Sequence, residues 1–168
     1  MELFIFTILG VISRLAPHIP NMTAVGAIAL FTGAKFGAKK SLVILFTTML
    51  IADSFKGFHS VMWATYGALI IGMIIGTYIA SKKHVGWIIG GTVLSSIVFF
   101  LLTNFAVWLA PNFMYEKSLF GLIYCYEMAI PFFRNSLVGD LLYSGIFFGG
   151  FALVESFRRK YAMHQVSH

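Results

Sequence analysis

Arg14, His18 and Asn21 stand close together near one end of the chain, and Asp53, Lys56 and His59 form a second such group. Asn104 and Trp108 follow four residues apart, then Tyr126 beside Glu127, then Arg134, Asn135 and Asp140. An arginine grips a carboxylate or phosphate bidentately. Aromatic faces stack on a ring. Carboxylates and amides fix the orientation of polar substituents. Together these groups suit the binding of a small organic molecule with a ring and polar edges. Each also has a plainer use. Asp53 or Asp140 could bridge to Arg14, Lys56 or Arg134, the two histidines could anchor at an interface, and Trp108 could be a belt residue.

Catalytic patterns are missing. There is no GxSxG, no HExxH and no glycine-rich phosphate loop, so no catalytic residue, cofactor or ATP site is expected. Glu127 and Asp140 could act as an acid/base pair only if folding joins them. His18, Asp53 and His59 do not have the spacing of a standard metal site. Cys125, the single cysteine, is either a buried apolar filler or a thiolate for a soft metal; no metal site is expected otherwise.

The elements that must position these groups are membrane helices. The 168 residues are 59% hydrophobic and 11% charged, against roughly 25% charged in a soluble domain. That is too little charge to clothe a soluble surface. The net charge of +6 is gathered at Lys35, Lys39 and Lys40, at Lys82 and Lys83, and at Arg158, Arg159 and Lys160. Each cluster ends an apolar run, as cytoplasmic loops do under the positive-inside rule, so a nucleic-acid partner is not expected.

A crossing helix needs about 20 apolar residues. The sequence offers six runs: 3–15, 23–37, 41–55, 60–81, 85–110 and 136–157. Between the last two, 118–130 predicts an extra helix lying in the interface and ended by Pro131. The expected fold is thus all-α, a polytopic membrane protein of one domain over 1–168. The basic clusters follow spans two, four and six, which places them and both termini in the cytoplasm. The polar groups gather at the other, outer end. The middles of spans four and five hold nothing polar besides Thr77, Thr92, Ser95 and Ser96, which argues against a continuous pore.

Small residues recur every four positions at Ala29, Gly33 and Gly37, at Ala68, Gly72, Gly76 and Ala80, and at Gly145 and Gly149. Such stripes let helix backbones meet closely in lipid. They serve either packing inside the bundle or docking of a partner membrane protein.

The string Arg14-Leu15-Ala16-Pro17-His18-Ile19-Pro20-Asn21 resembles a bacterial membrane-protein family of unknown function, DUF6580, described as transport proteins. So do Thr103 to Leu109, Gly121 to Tyr126, Ala129 to Phe133, Asn135 to Leu137 and Gly139 to Leu141. The layout in turn is similar to the S-components of energy-coupling factor transporters. That resemblance implies a substrate-binding protein for uptake of a vitamin-like molecule across the bacterial inner membrane. It would work in the lipid bilayer with a transmembrane coupling subunit and ATPases, docked through the stripes that include Ala29, Gly33, Gly37, Gly72 and Gly76. The expected ligand contacts are Arg14, His18, Asn21, Asp53, His59, Asn104, Trp108, Tyr126, Glu127, Arg134, Asn135 and Asp140. A variant of this reading is a solitary cobalamin transporter using Cys125. Outside transport, the alternatives are an enzyme or assembly factor at the outer face.

Overall fold

The computed structural model describes residues 2–82, 84–111 and 115–166; Lys83 of the second basic cluster and part of the long 111–135 connection lie outside them. The fold is all-helical. Among the described residues five helices follow in order: α1 (Glu2–Leu15), α2 (Val25–Lys56), α3 (Met62–Ile79), α4 (Val85–Leu109) and α5 (Leu119–Val166). Three helical segments are long and apolar enough to cross a membrane, namely α3, α4 and Leu119–Lys160 of α5.

The second and third expected runs are joined in α2, but not as a straight rod. Gly37 has φ 78° and ψ 169°, outside the helical region, a conformation that glycine adopts without a Cβ penalty. The chain folds back there. Thr32 Oγ1 lies 2.5 Å from Ser41 Oγ, whereas nine residues of straight helix span about 13.5 Å. The limb before Gly37 runs antiparallel to α1, with Ser13 Oγ accepting from the Ala24 amide and Phe6 packing on Phe31. The limb after it runs parallel to α1, with Lys40 paired to Glu2 and Asp53 paired to Arg14. At 1.5 Å per residue, α1 is about 21 Å long and the first limb about 18 Å. Both fall short of the roughly 30 Å hydrocarbon core. The limb after Gly37 is long enough, at about 28 Å, but among the described residues only three segments are both long and apolar enough to be a span.

The expected extra helix is not a separate element. Residues 119–130 are the first turns of α5, which continues through Pro131. Proline removes one backbone donor, and neighbouring helices can absorb that in apolar surroundings. These first turns already pack on α4. Tyr126 donates to the Leu101 carbonyl, Cys125 Sγ approaches the Asn104 carbonyl, and Ser96 bonds Asp140. The number falls on α4 as it rises on α5, so the two run antiparallel, but fourteen residues of α5 from Tyr126 to Asp140 answer only five of α4 from Leu101 to Ser96, so the contact changes register around Pro131.

The first limb of α2 is the core. From Ala27 to Phe31 no apolar residue is more than 1% exposed. A helix that is apolar all round is buried on every side. Gly33 lies where a Cβ would meet the backbone carbonyl of Met73, and Gly76 where one would meet that of Leu30. The two backbones therefore touch.

Candidate functional site

At one end of the bundle the α1–α2 loop, the end of α2, the start of α3 and the middle of α5 meet around a hollow. Arg14 enters it from the last turn of α1, which stops before Pro17. The residue ahead of a proline is pushed out of helical geometry. Arg14 Nη2 donates to Asp53 Oδ1 at 2.5 Å, and the Tyr66 hydroxyl donates to Asp53 Oδ2 at 3.0 Å. Asp53 is 1% exposed. A carboxylate this deep is sustained by its paired charge and hydrogen bonds. The Arg14 Nε is also buried and has no acceptor among the described residues.

The second buried acid is Asp140, from α5, at 7% exposure. Ser96 Oγ donates to its Oδ2 at 2.7 Å. The carboxylate lies against the first turn of α2, whose N-cap residue Ala24 supplies no side-chain cap. Unpaired amides at a helix start favour an anionic group. Residue 26 is glycine because a Cβ there would run into the Asp140 carboxylate.

A cavity of about 200 Å³ separates the two acids' neighbourhoods. Arg14, His18, Asn21 and Lys56 line it from the loop side, and Ser136 and Asp140 from α5. Thr65 and Leu69 of α3 and Ser95 and Phe99 of α4 complete the walls. Asp140 lies one turn below Ser136, about 6 Å further into the bundle. The exposed Lys56, His18 and Asn21 thus mark a mouth, and Asp140 marks the floor.

The loop over the mouth has a local cause. The Met22 amide donates to the Ile19 carbonyl at 2.9 Å, and Asn21 has φ 63°. Proline in the first central position and asparagine in the second suit a type II turn. Asn135 Nδ2 donates to the Pro20 carbonyl at 3.2 Å and ties the turn to α5.

A second hollow, of about 230 Å³, adjoins the first and shares Asn21, Thr65, Phe99 and Ser136 with it. Its own walls are mainly apolar, including Phe100, Phe132, Phe133 and Val107, with Asn104 and Thr103 as polar points. The opposite end of the bundle is filled. Phe6, Phe31, Phe36, Phe147, Phe148 and Phe151 meet there, with ring centroids 5.0–5.8 Å apart around Phe31.

Of the expected contact residues, Arg14, His18, Asn21 and Asp140 line the first hollow and Asn104 the second. Asp53 stands behind Arg14, so the bridge and the site are one arrangement. Asn135 holds the turn. The others are placed elsewhere. The Trp108 indole donates to the Glu116 carbonyl, and Lys117 donates to the carbonyls of Trp108 and Ala110, closing the α4–α5 connection. Tyr126 is spent on Leu101, while His59, Glu127 and Arg134 are exposed and line neither hollow. Thr65, Tyr66, Ser95 and Ser136 were not expected in the site. Their signal was there in outline, since a hydroxyl in an apolar helix faces an interior.

The small-residue stripes divide. Ala29, Gly33, Gly72 and Gly76 are buried between helices of this bundle. Gly37 serves the fold-back, and space is open beside Gly145 and Gly149. Packing is thus the use the fold makes of the α2 and α3 stripes, and Gly33 and Gly76 have no free face for a partner. Cys125 is buried in the α4–α5 contact, outside both hollows. Among the described residues no cluster of His, Cys, Asp and Glu could hold a metal ion.

No curated protein and no solved structure matches this chain. A family model described as a family of unknown function, DUF6580, matches residues 1–164. The chain, with its buried Arg14–Asp53 pair and its Asp140 floor, belongs to that family.

Proposed function

We propose that this protein captures a small organic molecule at the outer face of a membrane as the substrate-binding unit of an uptake system. One observation carries the reading: the bundle is hollow and lined with convergent charged groups at one end, and packed with phenylalanine at the other. A binding site needs a mouth and a floor, whereas a channel needs a polar path through. The short α1 and the two limbs of α2 enter the membrane alongside the three long segments, which gives six crossings, the short ones met by local thinning of the bilayer. The basic residues Lys35, Lys39, Lys40, Arg158 and Arg159 stand at the filled end or beyond it, which the positive-inside rule assigns to the cytoplasm, in a bacterial inner membrane with both termini inside. The pocket then opens outward. The resemblance to S-components adds an energising partner, a transmembrane coupling subunit with ATPases.

A cobalamin-type cargo is the less favoured cargo. A corrin ring is far larger than either hollow, and Cys125 does not reach them. Nothing in the geometry favours an enzyme or assembly factor.

Native mass spectrometry of the protein in lipid nanodiscs tests capture. The wild type is expected to carry a small-molecule adduct, and the Lys56→Ala, Asp140→Asn double variant to lack it while melting as a folded protein. Adduct-free wild type, also after incubation with a metabolite extract, would overturn capture.

A further inference from the structure

The charges around the first hollow sum to a pattern that a ligand must answer. Arg14 is neutralised by Asp53 at 2.5 Å. Two charges are left. Lys56 stands at the mouth, and Asp140 at the floor pairs with no Lys, Arg or His among the described residues. Its partners are the Ser96 hydroxyl and the first turn of α2. An acid buried away from water without a countercharge is costly, and a cation brought to it is strongly held. The mouth offers the reverse: a lysine, an arginine edge and the amide of Asn21, all donors to an anion.

The second hollow continues from the first through Thr65, Phe99 and Ser136 and is walled by aromatic rings. A cavity of about 150 Å³ suffices for benzene. Each hollow, at about 200 and 230 Å³, therefore holds one compact group.

From this we infer that the site takes a small zwitterion bearing one apolar group, with its ammonium on Asp140, its acid group toward Lys56 and Arg14, and its apolar group among Phe100, Phe132 and Phe133. The inference rests on the capture reading above and names its substrate class. The plainer role of Asp140, a cap for α2, coexists with it. Asparagine also caps helices well, so Asp140→Asn removes the charge and keeps the cap.

Isothermal titration of the full chain in nanodiscs tests this with seven probes. These are L-phenylalanine, phenethylamine and 3-phenylpropanoate, then L-leucine, 3-methylbutylamine and 4-methylpentanoate, and finally glycine. Each zwitterion is expected to bind about tenfold more tightly than its amine or its acid, the worth of one charge-assisted hydrogen bond. Glycine is expected to be weakest. Asp140→Asn should erase the advantage of phenylalanine over 3-phenylpropanoate. Val107→Phe, which fills the second hollow, should weaken phenylalanine and leave glycine unchanged. An acid that binds as tightly as its zwitterion, or no binding by any of the seven, overturns the inference. If native mass spectrometry still finds an adduct of another class, capture stands and only the class falls; if it finds none, both fall.

Discussion

The two ends of the bundle are built from the same helices and solve opposite problems. At the loop end Arg14, Asp53, Tyr66 and Asp140 turn inward, and the helices stand apart around a cavity. At the far end Phe31 takes the interior with five neighbouring rings, and Lys35, Lys39 and Lys40 are exposed. Lys35 even lays its ammonium over the Phe151 ring at 4.6 Å from the outside. Phenylalanines fill space without a polar group to satisfy. Buried charges require partners at fixed positions, so a polar interior keeps gaps that an apolar one closes. The difference teaches where function can sit: charge is at both ends, but only one end points it inward.

The largest effect should come from breaking the pair at the hollow end. Asp53→Ala leaves the Arg14 charge half-buried, and a loss of about 3–5 kcal/mol is expected in unfolding from detergent micelles. An Arg14→Met, Asp53→Leu double variant should recover most of it. A loss below about 1 kcal/mol in the single variant would show that the pair does not frame the hollow. Next comes the filled end. Phe31→Ala should cost about 3 kcal/mol through the cavity it leaves, measured in the same assay. A much smaller cost would mean that this end is as loose as the other.

Gly26→Ala sharpens the comparison at the floor. Its new methyl meets the Asp140 carboxylate, and a destabilisation of about 1–2 kcal/mol is expected from overpacking. The smallest effects contrast two lysines. Lys35→Ala should shift stability by about 0.5 kcal/mol, the worth of an exposed cation–π contact, and leave binding alone. Lys56→Ala should leave the melting temperature unchanged and weaken zwitterion binding about tenfold. Equal binding by the two variants would erase the distinction between the ends.

Much of this was legible in the chain. The apolar runs gave α1, α3 and α4 nearly to the residue, because long apolar stretches between turn residues leave few alternatives. The site was legible as a population: the residues at one end that are polar without being solvated lysines. It was not legible as a list, since Trp108, Tyr126 and Arg134 share that end and point elsewhere. Pro131 misled because a helix broken in water is continued in this fold beside its neighbour α4, which bonds α5 on both sides of the proline.

The sequence by itself determined the membrane class, the helical content, the separation of basic clusters from mixed polar groups, and the small residues at which backbones could touch. Those follow from composition and period, which are properties of the chain read in order. Only tertiary structure decided that Gly37 folds α2 back, that Asp53 answers Arg14, and that Asp140 comes to rest on the first turn of α2 beside Ser96. Each of these joins residues far apart in sequence, and no local energy selects one partner over another. The choice is made when most buried polar groups must find partners at once in a medium that offers no water.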